Sequence, residues 1–244
     1  MPTYSQEFHL PFIKKEKIVK DTYSFYFGQT QLGFNFLPGQ YIRMILDIQN
    51  PEERGVSRFF TIASSPLEKD YLMITTKVIK SSFKKRLLEL NNGDIVKFYG
   101  PMGGFVLSEE KKEERVFLAG GIGITPFHSM ITYAHKKGLS IPITLFVSFS
   151  AVEDIIFYEE LQNIAKINPF IKIIYTITHP EENPNWKNET GRISDAMIKK
   201  YVKNINSLLY YIVGPPAMVI GMEDVVRKMG VVGEKIFIEN FTGY

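Results

Sequence analysis

The 244-residue sequence contains no cysteine. That absence excludes disulfides, thiolate-ligated zinc and any iron–sulfur cluster held by this chain. A cluster, if the chemistry needs one, must sit on another protein. No apolar run approaches the roughly 20 residues that a membrane-spanning helix requires. The longest, around residues 141–149, reads as a buried strand. Residues 1–10 have neither a basic start nor an apolar stretch, so no signal peptide is expected and the expected location is cytoplasmic. Charge of one sign is also lacking: 29 Lys and Arg stand against 26 Asp and Glu, too small a surplus to imply nucleic-acid binding. The four histidines (His9, His128, His135 and His179) are scattered and suggest neither a triad nor a metal site.

What the chain does have is aromatic weight, 19 Phe and 13 Tyr beside a single Trp. Rings at this level suit strand-rich packing as readily as stacking on a flat cofactor. The first hundred residues read as short strands with turn punctuation. Tyr23–Phe27, Tyr41–Leu46, Tyr71–Val78 and Ile95–Tyr99 are the strands, and Asn91-Asn92-Gly93-Asp94 is a turn. This pattern predicts an antiparallel barrel or sandwich.

The charged run Ser108–Glu114 marks a boundary, and two domains are expected, 1–110 and 111–244. Beyond the run, strands and helices alternate. Strands are predicted over Arg115–Ala119, Ile143–Phe149, Ile171–Thr176, Leu208–Val213 and Lys235–Glu239. Helices are predicted over Thr125–Lys137, Ile155–Ala165, Ser194–Lys203 and Ala217–Met229. Four strand–helix repeats and a last strand imply a doubly wound parallel sheet.

The sharpest local signal is Gly120-Gly121-Ile122-Gly123-Ile124-Thr125-Pro126 between a predicted strand and helix. Glycines allow the backbone to approach a ligand closely, and the helix start offers free N–H groups to a pyrophosphate. Thr125 can add a hydroxyl, and Pro126 suits a first helical turn. Taken alone, the same run also serves as a plain tight connection. In Arg58-Phe59-Phe60-Thr61 an arginine fork can hold a phosphate, a ring can stack and a hydroxyl can bond a ring nitrogen, but taken alone the segment reads first as an ordinary strand with a surface arginine. Ser81 and Ser82 open a short helix, as an anion site or simply as a cap.

The ordered set Arg58-x-Phe60-Thr61, Gly100-Pro101-x-Gly103, Gly120-Gly121-x-Gly123-x-Thr125-Pro126 and Gly214-Pro215-Pro216 resembles the ferredoxin–NADP reductase superfamily. Thr190-Gly191-Arg192-Ile193 and the terminal Glu239-Asn240-Phe241-Thr242-Gly243-Tyr244 are similar to that family's patterns too. Each piece is short; the order in which they occur is specific. The resemblance implies a flavin-binding antiparallel β-barrel followed by a nicotinamide-binding α/β domain, with FAD and NADH or NADPH as cofactors. It implies that Arg58 binds the flavin pyrophosphate, Phe60 stacks on the isoalloxazine and Thr61 bonds near flavin N5. Ser81 and Ser82 would hold a phosphate. Gly120, Gly121, Gly123, Thr125 and Pro126 would cradle the nicotinamide cofactor's pyrophosphate, and Gly214-Pro215 would approach its nicotinamide half. Thr61, Glu239 and Phe241 would lie nearest the reaction, and Phe241 or Tyr244 would cover the flavin's other face.

The chain departs from the family pattern at three places. Phe60 stands where the stacking residue is usually Tyr, Val213 where Cys usually precedes Gly-Pro, and Ile79-Lys80-Ser81-Ser82 lacks the usual glycine. Ser148-Phe149-Ser150-Ala151 lacks the arginine that often holds a 2′-phosphate, which favours NADH, although Ser148 and Arg192 can serve NADPH. The expected activity is hydride transfer between NAD(P)H and flavin, then single-electron exchange with a carrier protein such as a ferredoxin, a flavodoxin or an oxygenase component. A free-flavin or small-acceptor reductase and a nicotinamide-binding regulatory module are the alternatives. Lys14, Lys15, Lys17, Lys80, Lys84, Lys85 and Arg86 are candidates for a basic patch that steers an acidic carrier, or for an ordinary solvated surface.

Overall fold

The computed structural model describes residues 6–29, 34–79, 81–111 and 113–241. The chain divides into two units. One runs to Leu107 and includes His128–Tyr133; the other takes Ser108–Phe127 and the chain from Ala134 onward.

The first unit is an antiparallel sheet of β1 (Gln6–Val19), β2 (Thr22–Gly28), β3 (Tyr41–Ile45), β4 (Ser57–Thr61), β5 (Tyr71–Lys77) and β6 (Ile95–Met102). The strand order is β4-β3-β6-β1-β2-β5. β1 has no counterpart in the sequence reading, because its second half is the charged stretch Lys14–Lys17, which carries no apolar alternation. It is long because it serves two partners. Gln6–Pro11 pair with β6, and Phe12–Val19 pair with β2 across two register shifts. Just past β4, the Ala63 amide donates to the Met73 carbonyl at 2.8 Å, and the Met73 amide donates to Ser64 Oγ at 3.0 Å. These bonds draw the two edge strands together and curl the sheet into a barrel.

Period-two alternation sends Phe8, Leu10, Phe12, Phe25, Phe27, Ile42, Met44, Val96 and Phe98 into one core. The short helix α1 (Ser82–Leu88) closes it with Phe83 and Leu87. Phe98 is the hub, 5.3 Å from Phe8 and 5.0 Å from Phe27 between ring centroids. Nine of the 19 phenylalanines pack in or against this core.

In the second unit β7 (Arg115–Gly120), β8 (Ile143–Phe149), β9 (Ile171–Ile177), β10 (Glu189–Thr190), β11 (Leu209–Gly214) and β12 (Ile236–Asn240) form a parallel sheet. Its order is β10-β9-β8-β7-β11-β12. Every residue of β7 and β11 is buried, as strands covered by helices on both faces must be. One face carries Val116, Leu118, Phe146, Tyr210 and Ile212 against α4 (Asp195–Tyr201) and α5 (Pro216–Lys228). On the other, Phe117 stacks on Phe127 of α2 (Ile124–Lys137) at 4.4 Å, and Tyr211 on Phe237 at 4.7 Å. Opposite residues of the same strands thus face opposite helix layers, the doubly wound arrangement.

Besides β1, two elements differ most from expectation. The third helix, α3, spans Tyr158–Ile167 rather than starting at Ile155, because Ile155 and Ile156 are buried as loop anchors after a 3-10 turn. β10 is a two-residue edge strand with no sequence signal. The boundary run is more than solvated spacer: fully buried Arg115 donates from Nη2 to the carbonyls of Ser108 and Lys111, at 3.0 and 2.7 Å.

Candidate functional site

In the second unit the chain moves outward from β7 through β8 and β9 to β10, then returns to the other side of β7 as β11. Loops after β7 and β11 therefore leave the sheet in opposite directions, and the opening at their carboxyl ends is where doubly wound sheets take ligands. Register places the candidate residues in one row there. Ser148 of β8 lies opposite Gly120, Ala119 opposite Val213, and Val213 and Gly214 opposite Glu239 and Asn240. The Phe241 amide extends the row by donating to the Gly214 carbonyl at 3.1 Å.

The glycines of this row do different work. A Cβ on Gly123 would come within 2.7 Å of the Val213 carbonyl oxygen, and one on Gly120 within 1.9 Å of Met218 Sδ. Both are small because the turn packs tightly on β11 and α5. Gly121 has φ +52° and nothing within 4 Å of a would-be Cβ, so its backbone faces open space. That is the geometry a pyrophosphate needs. Thr125 is buried and donates its hydroxyl to the Ile122 carbonyl at 3.0 Å, while Pro126 is buried in the first turn of α2. Pro215 is exposed where α5 begins. Arg192 is exposed just past β10, at the opposite edge of the sheet from Glu239. Glu239 is the electrostatic exception: its Oε2 has no hydrogen-bond partner among the described residues, and burial pushes its carboxyl up to about 7. Tyr244 lies outside the described residues.

In the first unit Arg58 is 7% exposed, with Nη1 donating to the carbonyls of Arg54, Gly55 and Ser57 at 2.8, 3.0 and 2.8 Å. Its Nη2 pairs with Glu52 Oε1, which also accepts from Ser81 Oγ at 2.9 Å. The Glu52 amide donates to Ser82 Oγ at 3.2 Å. Arg58, Ser81 and Ser82 thus meet around one carboxylate, and the Ser81 hydroxyl and Arg58 hold that carboxyl below its ordinary range. A donor set already closed on an anion fits a flavin phosphate.

Phe60 lies on the same face of β4 as Arg58, is 8% exposed and contacts the Phe83 ring at 5.9 Å. Thr61, also buried, ends the strand opposite Tyr41. His128 Nδ1 donates to the Ala63 carbonyl and Ser129 Oγ to the Ser64 carbonyl, both at 2.7 Å, fixing the segment that follows β4.

Two residues had no signal as site groups. Glu52 lies in a mixed-charge loop that reads as surface. Lys84 falls in sequence among the candidate surface cations, but its ammonium is turned inward, bonded to Thr76 Oγ1 and to the Lys77 carbonyl at 2.9 Å and lying over the Phe60 ring at 5.2 Å. Burial, reinforced by Arg58 and Arg54, pushes it down to about 7. The supposed basic patch is correspondingly thinner: Lys14 pairs with Glu16 at 2.6 Å, and Lys15 donates to the carbonyls of Leu88 and Leu90. Lys80 lies outside the described residues.

Comparison with known proteins assigns each unit a family. Residues 9–107 match the oxidoreductase FAD-binding domain and residues 117–224 the oxidoreductase NAD-binding domain. The chain is 28% identical over 198 residues to a component of the Na(+)-translocating NADH-quinone reductase from a Marinomonas species, covering 79% of this chain and 47% of that protein. It spans about half the length of the quinone-reductase relatives it matches. It is 29% identical to NADH-cytochrome b5 reductase 1 of Aspergillus terreus, covering 79% of this chain and 67% of that protein. Among solved structures, the Amycolatopsis cytochrome P450 reductase GcoB superposes with a TM-score of 0.84 at 20% identity, over 99% of this chain and 72% of that one. A Neisseria gonorrhoeae ferredoxin NADP+ reductase with bound FAD and NADP gives 0.81 at 18%, over 96% and 98%.

The class is that of oxidoreductases that join an FAD-binding domain to an NAD-binding domain, with FAD and a nicotinamide dinucleotide as cofactors. The chain belongs to the ferredoxin–NADP reductase superfamily.

Proposed function

We propose that this chain takes hydride from NADH and passes single electrons to a separate carrier protein, in the cytoplasm. FAD, when bound, supplies the exchange between two-electron and one-electron chemistry. The protein's part is positioning. Arg58, with Ser81 and Ser82, binds the flavin phosphate, Phe60 stacks on the ring system and Thr61 offers its hydroxyl beside it. Gly121 admits the dinucleotide's pyrophosphate, with Gly120, Gly123, Thr125 and Pro126 shaping the turn that presents it. Gly214 and Pro215 approach the nicotinamide half, and Glu239 and Phe241 stand beside them on the last strand.

The observation that carries this reading is the closure of Arg58 and Ser81 on a single carboxylate, a ready-made anion site on the barrel. Preference for NADH is supported by the end of β8. Ser148 is followed by Glu153 and Asp154 in a 3-10 turn, and the sequence between offers no cation to a 2′-phosphate. Carboxylates there suit the ribose hydroxyls of NADH. A carrier acceptor is supported by solved relatives described as a cytochrome P450 reductase and as the ferredoxin reductase in carbazole 1,9a-dioxygenase, and by the lack of cysteine here. No helix among the described residues is long and apolar enough to cross a membrane.

An anaerobic absorbance spectrum tests the reading. A yellow protein bleached quickly by NADH, and slowly by NADPH, is the expected result. A colourless protein that neither FAD nor FMN reconstitutes overturns it.

A further inference from the structure

Glu52 sits on the loop that leads from β3 into β4, and its carboxylate occupies the donors that a flavin phosphate would require. Arg58 Nη1 is committed to three backbone carbonyls, and Nη2 is the arm that meets Glu52. Ser81 Oγ donates a hydrogen bond to the same Glu52 oxygen, at 2.9 Å. The Glu52 amide donates to Ser82 Oγ at 3.2 Å, which ties the loop backbone to the start of α1. Two anions cannot share these donors, since like charges at contact distance repel even near water. The exposures of the two partners differ in a useful way: Arg58 is 7% exposed and Glu52 33%. The guanidinium is fixed and shielded, whereas the carboxylate reaches in from solvent and can return there without losing its hydration.

We propose that Glu52 is a competitor built into the phosphate cradle: its carboxylate must leave Arg58 and Ser81 before a flavin phosphate can take them, so Glu52 sets how tightly the chain retains a phosphate-bearing flavin. The inference rests on Arg58, Ser81 and Ser82 being that cradle. The competition acts on the phosphate alone, so FAD and FMN feel it and riboflavin does not. It also lets Arg58 keep a paired charge when no phosphate is held, so the buried guanidinium never stands alone.

The test is titration of the full chain with FAD, FMN and riboflavin, read by quenching of flavin fluorescence. The variants are Glu52→Gln, Glu52→Ala and Arg58→Ala, each with its thermal midpoint measured to show that it is folded. An ion pair with a shielded guanidinium and a carboxylate open to solvent implies FAD and FMN affinities raised about fivefold in both Glu52 variants, with riboflavin unchanged. FAD should also leave Glu52→Gln more slowly than the parent chain. Arg58→Ala should weaken FAD and FMN and spare riboflavin. If Arg58→Ala does so but the Glu52 variants bind FAD no more tightly, or more weakly, the competition is refuted while the cradle stands. Equal tightening of riboflavin refutes it too. An Arg58→Ala chain that binds FAD and FMN normally removes the cradle, and the proposal with it.

Discussion

Replacing Glu239 by Gln should remove a pH dependence of stability whose size and sign follow from its surroundings. One oxygen of this carboxyl is buried without a partner among the described residues, and burial raises the group from its ordinary 4.5 to about 7. Between those values the folded chain keeps a proton that the unfolded chain has released. Stability from this group is therefore fully present below pH 4.5 and is lost as pH rises towards 7. The difference corresponds to roughly 3 kcal/mol. A glutamine has the shape of the protonated acid and does not titrate. The variant should match the parent chain at low pH and exceed it above neutrality by up to that amount, a rise of about 6–12 °C in Tm for a chain of this size. Thermal unfolding of both proteins, in steps from about pH 4 to about pH 8, gives a difference curve from which all other titrations cancel. A difference that stays flat, or that grows as pH falls, refutes the reasoning.

Two further substitutions probe the same geometry. Gly123→Ala sets a methyl 2.7 Å from the Val213 carbonyl and should cost about 1–3 kcal/mol in urea unfolding; Gly121→Ala meets no neighbour but puts a side chain at φ +52°, so it should cost about 1 kcal/mol and also lose dinucleotide affinity, measured by NADH titration. Lys84→Met should abolish a gain in stability that the parent shows as pH rises from about 7 towards 10.5. In that window the unfolded chain holds a proton on Lys84 that the folded chain does not, so stability grows with pH; parallel unfolding profiles for the two proteins would contradict this.

On the proposed reading, the Arg58 cradle and the glycine row divide the chemistry between the two units. The barrel contributes a fixed cation and hydroxyls, suited to holding one cofactor. The parallel sheet contributes open backbone at Gly121, suited to a dinucleotide that comes and goes. No protein nucleophile is required for either task.

The sequence by itself determined most of the second unit. Buried parallel strands are nearly continuous apolar runs, so Ile143–Phe149 and the order of strands and helices could be read directly, as could the glycine turn after β7. The family's motifs were legible too, because they are local in sequence. What the sequence could not supply depended on distant partners. β1 is a strand only because β6 and β2 flank it, against the charge of its second half. Ile155 and Ile156 look helical but are anchors, and β10 exists only as an edge to β9. Gly121 and Gly123 are indistinguishable as letters; the Val213 carbonyl, ninety residues on, makes one a packing requirement and leaves the other facing space. Lys84 and Glu52 read as ordinary surface charges until the fold sets one over Phe60 and the other against Arg58. Periodicity and local motifs are written along the chain, whereas the desolvation and pairing of a charge are decided by residues the chain brings from elsewhere.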